Sequence, residues 1–371
     1  MAYLDVVNFG QVFTPRYIVD RMFALRKNKG CVLEPSAGNG AFSSILDNVV
    51  ALEINKNLAE ISNATHIDFF AYPVDKKFDT IIGNPPYVRF QDIIPETKAL
   101  LPKGFDKRTN LYLFFIAKSI MHLEKGGELI FITPRDFLKA TSAAPLNRLL
   151  YKMGTITDYE ELGDSSVFEG YSPNCAIWRW EKGKNSRRMN DGRHFCYLNG
   201  QLWFGKQSNS CLGDIFNVKV GAVSGADKIF SNNKKGCTDF VCSHTIKTGH
   251  TRRMIYNRYD PFLDPYKDIL IKRRIRHFDI SNWWEWGRGY HVSNESRIYV
   301  NCKTRNPKPF FRNSTKAYDG SVLALFPKSD IDLDKAVETL NKVNWENFGF
   351  VCDGRLQFTQ KALENAPVEL C

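Results

Sequence analysis

The sequence predicts an α/β protein with a doubly wound, mostly parallel sheet in its first half and a mixed α+β domain in its second. Short apolar runs alternate with helical stretches as far as residue 183, a pattern typical of parallel sheets. After it come aromatic-rich strand candidates separated by Asn, Gly, Ser and Pro. A length of 371 residues suits two domains, which we place at 1–183 and 184–371, on either side of a polar, basic linker.

The elements of the first half follow in a regular order. Thr14 and Pro15 predict a helix start, with Thr14 as the cap and Pro15 at the first helical position. The predicted strands cover residues 31–35, 49–53, 64–68, 79–83, 127–133, 156–162 and 174–181. The predicted helices follow Thr14 and cover the run after Gly40 as far as Leu46, then residues 57–63, 110–123 and 146–152. The last two strands resemble a hairpin and predict an antiparallel edge strand.

Composition excludes several classes of protein. No apolar stretch approaches the roughly 18–20 residues that span a bilayer, and the first residues lack the features of a secretory signal. Nine cysteines form an odd set without a CxxC pair or histidines at zinc spacing. We therefore expect reduced thiols in a cytoplasmic protein, with no structural metal and no membrane partner.

The positive charge is concentrated in the second half of the chain. The net charge is +11, yet residues 1–183 contain 21 basic and 21 acidic residues, whereas residues 184–371 contain 30 and 19. Within 247–316 the 16 basic residues are interleaved with aromatic ones. A basic domain beside a neutral one is typical of a polyanion-binding protein, although a solvated basic surface explains the charge about equally well.

Unusual residues follow the predicted strands, where doubly wound sheets bind their ligands. The first strand runs into Glu34-Pro35-Ser36-Ala37-Gly38-Asn39-Gly40, whose glycines permit a tight turn and close approach to a ligand. Glu53 and Asp68 end the next two strands. There the acids can accept hydrogen bonds from ribose hydroxyls and from an adenine amino group. A lone GxG could be only a tight turn, but the two acids favour a ligand site.

The tetrapeptide Asn84-Pro85-Pro86-Tyr87 follows the fourth strand, above the same cleft. Two prolines fix the backbone and remove two N–H donors. The Asn84 side-chain oxygen and the Pro85 carbonyl remain as acceptors, beside the flat ring of Tyr87. Two acceptors that hold the protons of a conjugated amine favour a pyramidal nitrogen, which is a better nucleophile. The pattern therefore suits a planar substrate whose NH2 group must become a better nucleophile, rather than a simple Pro-Pro turn.

Taken together, these motifs resemble the gamma-class adenine-N6 DNA methyltransferases of bacterial restriction-modification systems. The resemblance covers about residues 8–182 and includes Gly10-Gln11-Val12-Phe13-Thr14-Pro15, the glycine loop and the NPPY tetrapeptide. It implies a Rossmann-like S-adenosylmethionine-dependent methyltransferase sheet followed by a target-recognition domain. Glu34 stands where the wider superfamily often has Asp.

The resemblance also implies roles for individual residues. Thr14 would contact the carboxylate of S-adenosylmethionine, and Glu34 with the glycine loop would hold its methionine part. Glu53 would bind the ribose, and Asp68 would bind the adenine amino group, with Phe69 and Phe131 beside the ring. Val12 and Ile54 pack there as well or are plain core residues. The residues that the resemblance assigns to the cofactor are Val12, Thr14, Glu34, Pro35, Ser36, Gly38, Gly40, Glu53, Ile54, Asp68, Phe69, Asn84 and Phe131.

Catalysis would be a direct displacement at the sulfonium methyl group, positioned by Asn84, Pro85, Pro86 and Tyr87. The target adenine must leave the duplex, and stacking on Tyr87 offsets part of that cost, by about 1–3 kcal/mol. A second aromatic wall is assigned by resemblance to Phe168, with Tyr171 as a competitor.

Basic residues in both halves are candidates for contacts with DNA phosphates. A loop of some twenty residues after Tyr87 is long for a compact domain and suggests a DNA-contacting element, although an ordinary solvated loop explains it nearly as well. The candidates are Arg89, Lys107, Arg108, Arg252, Arg253, Lys272, Arg273, Arg274 and Arg276. Phosphate contacts set affinity and register without reading sequence, and base readers cannot be selected from composition.

The leading hypothesis is a site-specific DNA adenine-N6 methyltransferase that acts on duplex DNA in the bacterial nucleoid as a monomer, alongside a cognate restriction endonuclease. A protein glutamine-N5 methyltransferase would use the same NPPY grip, but that family has its extra domain before the glycine loop. An RNA adenine-N6 methyltransferase is a further alternative. A catalytically inactive DNA-binding specificity protein would be expected to lack Asn84, Tyr87 or the acids, which are all present.

Overall fold

The computed structural model describes residues 12–163, 174–352 and 354–368. The chain divides into two compact units, Met1–Gln207 and Ser208–Cys371. The boundary between them comes later than the one placed at 183/184 from composition. A hairpin of residues 194–205 explains the difference, because its Phe195 and Phe204 rings lie 5.5 Å and 4.5 Å from the rings of Tyr151 and Tyr159 in the first unit.

The first unit contains nine strands and five helices among its described residues. The strands are β1 (Val32–Glu34), β2 (Val49–Glu53), β3 (Thr65–His66), β4 (Phe78–Gly83), β5 (Leu123–Pro134), β6 (Gly154–Glu161), β7 (Cys175–Lys182), β8 (His194–Leu198) and β9 (Gln201–Gly205). The helices are α1 (Arg16–Ala24), α2 (Lys56–Ser62), α3 (Pro95–Leu100), α4 (Leu111–His122) and α5 (Ala144–Met153). Helices follow β2, β4 and β5, whereas β1 and β3 are each followed by a 3₁₀ turn, so the predicted alternation of strands and helices holds only in part.

Seven of these strands form one sheet, in the order β3-β2-β1-β4-β5-β7-β6. β1 to β5 pair in parallel, and β7 runs antiparallel to both β5 and β6. The α/β fold class with a mostly parallel sheet and an antiparallel strand near one edge is confirmed. β7 itself lies one position inside that edge, because β6 occupies the outermost place.

Two local predictions at the start of the unit are wrong. Thr14 does not cap α1, because its hydroxyl accepts a hydrogen bond from Asn84 and no side chain caps this helix. The run after Gly40 forms only a 3₁₀ turn, Ser43–Ile45, rather than a helix. Its backbone is drawn back toward β1, because the Ser43 amide donates to the Glu34 carboxylate at 2.8 Å.

A buried ion pair lies in the sheet, between β5 and β7. Arg179 and Glu128 are 2% and 0% exposed, and the Arg179 Nε donates to Glu128 Oε2 at 2.6 Å. Glu128 Oε1 also accepts hydrogen bonds from the Asn28 amide at 2.8 Å and from the Thr80 hydroxyl at 3.0 Å. Such a pair tolerates burial because donors surround its carboxylate.

The second unit is a mixed α+β domain, as predicted. Its helices are α6 (Leu212–Ile215), α7 (Asp227–Phe230), α8 (Thr245–Thr248), α9 (Lys267–Ile271), α10 (Leu333–Lys342) and α11 (Gln360–Glu364). Its strands are β10 (Phe216–Val220), β11 (Thr238–Val241), β12 (Arg252–Met254), β13 (Ile298–Asn301), β14 (Lys303–Thr304), β15 (Phe310–Phe311), β16 (Ala317–Tyr318), β17 (Val322–Pro327), β18 (Val351–Cys352) and β19 (Arg355–Gln357).

These strands form three small sheets that pack on apolar clusters. The sheet orders are β10-β17-β13-β15, β12-β11-β16 and β14-β19-β18. Leu340 of α10 packs in a cluster with Trp345, whereas Trp283 and Trp286 pack in another cluster with Phe240. Across the described ranges of both units, no helix combines the length and the apolar character that crossing a bilayer requires.

Candidate active site

The carboxyl ends of β1, β2 and β4 open onto one cavity of about 890 Å³, part of which is open to solvent. Glu34 and Glu53 end β1 and β2, and Asn84 directly follows β4. The topology therefore brings together the residues that the strand-end argument expected to meet.

The glycine turn after β1 is held against the acid that ends β2. Gly38 and Gly40 have φ of +55° and +79°, a left-handed conformation that favours glycine. The Gly38 amide donates to Glu53 Oε2 at 2.8 Å, and the Asn55 amide donates to Oε1 at the same distance. Glu53 thus fixes two backbone turns while it lines the cavity.

Glu34 is a buried carboxylate at the cavity, and one of its two oxygens lacks a donor. It is 1% exposed, and within the described residues its Oε1 has no hydrogen-bond partner. Burial raises the pKa of this carboxyl to about 8, against the effect of its hydrogen bond from Ser43. A cationic or N–H donor on a bound ligand would complete its coordination.

Asp68 and Phe69 begin a 3₁₀ turn that forms another wall of the cavity. Asp68 accepts hydrogen bonds from the Phe70 amide at 2.8 Å and from the Thr97 hydroxyl of α3 at 2.5 Å. Lys118 of α4 is buried beneath this turn, where its Nζ donates to the Phe70 carbonyl at 2.7 Å. Burial lowers the pKa of Lys118 to about 8.

The Asn84 side chain is held in one orientation. Its Nδ2 donates to the Val12 carbonyl and to the Thr14 hydroxyl, both at 3.2 Å, and its Oδ1 accepts from the Tyr87 hydroxyl at 2.6 Å. Because two acceptors face the nitrogen and a donor faces the oxygen, the amide cannot be turned over without losing hydrogen bonds. Asn84 thus presents a fixed acceptor at the cavity.

The Tyr87 ring is more enclosed than the expected stacking role requires. It is 8% exposed, and it packs edge-on against Tyr112 with ring centroids 5.9 Å apart. Its hydroxyl lies 3.0 Å from the Ile132 carbonyl as well as close to Asn84. In this structure Pro86, rather than Tyr87, lines the cavity beside Asn84, and Pro85 is buried.

Eleven of the thirteen residues assigned to the cofactor from the sequence line this cavity. They are Val12, Thr14, Glu34, Pro35, Ser36, Gly38, Glu53, Ile54, Asp68, Phe69 and Asn84. Phe131 and Gly40 do not. Phe131 is fully buried and packs edge-on against Trp178, so it is a core residue. Gly40 lies behind the turn, where a Cβ would meet Ser62 at 3.1 Å.

Other lining residues were not predicted from the sequence. They are Phe13, Ala37, Asn39, Ala41, Phe42, Phe70, Ile93, Ile94, Thr97, Leu111 and Phe115. Ile93, Ile94 and Thr97 come from the stretch expected to be a long loop, which instead contains the short helix α3. Phe115 lies in the stretch predicted as a helix over 110–123, and nothing in the sequence indicated that its side chain reaches the cavity.

Phe168 and its competitor Tyr171, the candidates for the second aromatic wall of the base pocket, lie outside the described residues.

The structure separates the basic residues that were proposed to bind DNA. Arg273 is wrongly placed among the phosphate contacts, because it is 9% exposed and donates to backbone carbonyls. Exposed candidates with an acidic partner are Arg89 with Asp92, Arg108 with Asp106, Arg253 with Asp239 and Arg276 with Glu285. Arg252 is half-buried beside Asp319.

Lys107, Lys272 and Arg274 are the remaining candidates for phosphate contacts, and all three are exposed.

Within the described ranges, no group of three or more His, Cys, Asp or Glu side chains could hold a metal ion.

Comparison with known proteins agrees with this geometry. Residues 27–168 match the Eco57I restriction-modification methylase family. The chain is 34% identical to the Type II methyltransferase M.HincII of Haemophilus influenzae and 26% identical to M.HindII of the same species, in both cases over 97% of this chain and 89% of the relative.

Among solved structures, the chain is similar in fold to the Type IIL restriction-modification enzyme MmeI, determined in complex with DNA. The TM-score is 0.63 at 11% identity, over 94% of this chain and 64% of that one. The identity to M.HincII along nearly the whole chain shows the family. This chain belongs to the Type II methyltransferases of restriction-modification systems, and it is a DNA methyltransferase with S-adenosyl-L-methionine as its cofactor.

Proposed function

We propose that this enzyme methylates N6 of an adenine that has been flipped out of duplex DNA. The observation that carries the proposal is the fixed Asn84 side chain at the cavity wall, whose Oδ1 accepts from Tyr87 while its Nδ2 is held by Val12 and Thr14. An acceptor of fixed orientation beside two prolines without N–H groups suits an exocyclic amine.

Asn84 Oδ1 and the Pro85 carbonyl would accept the two N–H groups of the amine. An oxygen that accepts one hydrogen bond from Tyr87 keeps a second lone pair for this purpose. The nitrogen lone pair would then be withdrawn from conjugation and would be available to attack a methyl group, and one N–H proton would leave to solvent. S-adenosyl-L-methionine, when bound, supplies the methyl group on a sulfonium sulfur.

The cavity fits this cofactor because its polar groups match the cofactor's parts. The buried Glu34 Oε1 lacks a donor in the described structure, and an ammonium group of the methionine part would supply one. Thr14 lies at the same wall, in reach of a carboxylate. Glu53 would accept the ribose hydroxyls through its remaining lone pairs, and Asp68 would accept the adenine amino group beside Phe69.

The target base would lie against Pro86, next to Asn84, at the wall of the cavity. Stacking on one aromatic ring is worth about 1–3 kcal/mol, which offsets part of the cost of extruding a base. Phe168, or its competitor Tyr171, would form the opposite wall. A cognate restriction endonuclease that recognises the same site, and a monomeric enzyme acting on the DNA of the nucleoid, complete the proposal. The Type II names of the relatives support the endonuclease partner.

Mass spectrometry of nucleosides tests the reaction. A methylation-free bacterial host that expresses the wild-type chain should gain N6-methyladenine in its DNA, and sequencing of modified bases in the same sample should give the site. Asn84→Ala should lower methyl transfer by about 10²–10³-fold or more, because one preorganised polar contact to the reacting group is lost. Its thermal stability and its cofactor affinity should stay close to wild type.

Asn39→Ala is the matched control, because Asn39 lines the same cavity and loses the same side chain. We expect it to change the KM for the cofactor at most, with kcat preserved. Wild-type transfer by Asn84→Ala would contradict the role of Asn84. A new mark in RNA or on a protein glutamine would replace the substrate, and cofactor binding without any mark would indicate a DNA-binding protein without catalysis.

A further inference from the structure

The basic loop, which we define as residues 272–282 of the second unit, contains positive side chains in very different settings. Arg276 pairs with Glu285 at 2.5 Å, and Arg273 is buried. Lys272 and Arg274 are exposed, and neither side chain has an acidic or hydrogen-bonding partner among the described residues. The loop therefore keeps two uncompensated charges at its surface.

Arg273 anchors this loop from within. Its guanidinium donates to the carbonyls of Leu270 at 2.7 Å, Ser224 at 2.5 Å, and Trp283 at 2.6 Å. It also lies over the Phe278 ring, 3.9 Å from the centroid, and burial lowers its pKa to about 10. Because three separate segments share one guanidinium, its two neighbours in the chain start from a fixed backbone.

The Ile275 side chain packs closely against two glycines, Gly225 and Gly287. A Cβ at Gly225 would come within 2.5 Å of the Ile275 side chain, and a Cβ at Gly287 would come within 2.6 Å. Contacts this short exclude any larger residue unless the loop moves. The close approach rigidifies the part of the loop that holds Arg274, which lowers the entropy cost of binding a partner.

Ile280 projects from the far end of the loop. It is 76% exposed, although its turn is well ordered by local hydrogen bonds. Asp279 accepts from the Ser281 amide at 2.8 Å, and the Asp279 amide donates to the Asn282 side chain at 2.9 Å. A fixed turn thus holds a large apolar side chain in water, in the same loop as the two unpaired positive charges.

We propose that the basic loop contacts duplex DNA, with Lys272 and Arg274 on the phosphate backbone and Ile280 against the bases in a groove. The proposal rests on the DNA methyltransferase function stated above. Exposed cations that form no ion pair within the described residues supply attraction to phosphates. An isoleucine at an ordered tip cannot bind phosphates, but it can make an apolar contact with a thymine methyl group or with a base step. Ile280 is then a specificity-determining residue.

The phosphate contacts are tested by salt dependence. Binding of the Lys272→Ala, Arg274→Ala double variant to a duplex with the methylated site is measured against salt concentration. The slope of log affinity against log salt should become shallower by about 1.8, because two phosphate contacts disappear. Lys335→Ala, Lys342→Ala is the matched control: it removes two exposed lysines from α10, which belongs to the other apolar cluster of this unit.

The apolar contact is tested by specificity. Ile280→Ala removes three carbon groups and should lower affinity for the cognate duplex by about tenfold to sixtyfold, according to how fully they are buried, and should leave non-specific binding and the salt slope unchanged. Val292→Ala is its control, because Val292 is 75% exposed and lies outside the loop. Thermal melting confirms that each variant is folded.

A double variant with the slope and affinity of its control would overturn the phosphate contacts. Equal losses on cognate and unrelated duplexes would overturn the base contact of Ile280. If the variants lost affinity for RNA but kept their affinity for duplex DNA, the loop would be assigned to another partner. These failures differ from failure of the proposed function, which would leave the wild-type chain itself without N6-methyladenine in host DNA.

Discussion

Two fully enclosed carboxylates in the first unit, Glu128 inside the sheet and Glu34 at its carboxyl edge, have opposite surroundings. Glu128 receives the Arg179 guanidinium, two backbone amides and a hydroxyl. Glu34 receives one backbone amide at one oxygen, and its other oxygen has no partner in the described structure. A carboxylate that folding satisfies completes the core, whereas one that folding leaves short of donors is available to a ligand.

The same contrast separates two consecutive residues of the second unit. Arg273 is surrounded by carbonyls and by the Phe278 ring, whereas Arg274 extends into solvent. Sequence position and residue type are nearly identical, so neither distinguishes a structural arginine from a binding one. The hydrogen-bond partners do, and the following changes test that distinction.

Removal of Glu128 should have the largest effect on stability. Glu128→Ala leaves the Arg179 guanidinium buried without its main partner, which should lower the free energy of unfolding by about 3–5 kcal/mol. Denaturant unfolding measures the loss. Glu160→Ala, which removes an exposed glutamate from β6, is the control and should stay within about 0.5 kcal/mol of wild type. A loss of similar size in both variants would contradict the role assigned to the buried pair.

Substitution of Arg273 should be the next most costly change. Arg273→Met keeps much of the apolar stem but leaves backbone carbonyls without donors, at about 1–3 kcal/mol for each one that water cannot reach. Arg274→Met should leave the melting temperature unchanged and weaken DNA binding instead. Thermal melting and DNA affinity are measured on both variants. Equal melting temperatures would show that Arg273 does not anchor the loop.

The charge state of Glu34 should make stability depend on pH. Its pKa in the folded protein, about 8, lies above the ordinary value of 4.5, so between these two pH values the folded state holds a proton that the unfolded state has lost. The stabilising contribution is therefore complete below pH 4.5 and decreases as the pH rises toward 8. Glu34→Gln should flatten this part of the stability curve for the ligand-free protein.

Cofactor binding gives the complementary test of Glu34. If its carboxylate receives the ammonium group, wild-type affinity should rise between about pH 6 and about pH 8, as the carboxyl loses its proton. Glu34→Gln should bind more weakly and without that rise. Calorimetric titrations at several pH values supply both curves. A rise that survives in Glu34→Gln would assign the titration to another group.

The smallest effect is expected from Thr97. Thr97→Val removes the hydroxyl that donates to Asp68 and should weaken cofactor binding by about 0.5–1.5 kcal/mol, since Asp68 would lose one of the bonds that orient it. Thr97→Ser, which keeps the hydroxyl, should restore most of the affinity. Equal affinities for the two variants would exclude an effect of this hydrogen bond on the cofactor.

The sequence was sufficient for the strands and for the residues that follow them. Alternating apolar runs mark parallel strands, and the topology of such a sheet brings Glu34, Glu53 and Asn84 to one edge. It was insufficient where a tertiary contact overrides a local pattern. Thr14 is a residue type that commonly caps helices, yet its hydroxyl accepts a hydrogen bond from the Asn84 side chain instead. Arg273 is a residue type that is usually exposed at the surface, yet it is buried and donates to carbonyls from distant segments.

The place of β7 inside β6 has a consequence for synthesis on the ribosome. β6 leaves the ribosome before β7, but it has no strand to pair with until residues as far as Lys182 are available. During that interval both β5 and β6 present unpaired backbone groups, which are templates for association with other chains. Chains that stop before β7 should therefore aggregate, whereas chains extended through this strand should complete the sheet and remain soluble.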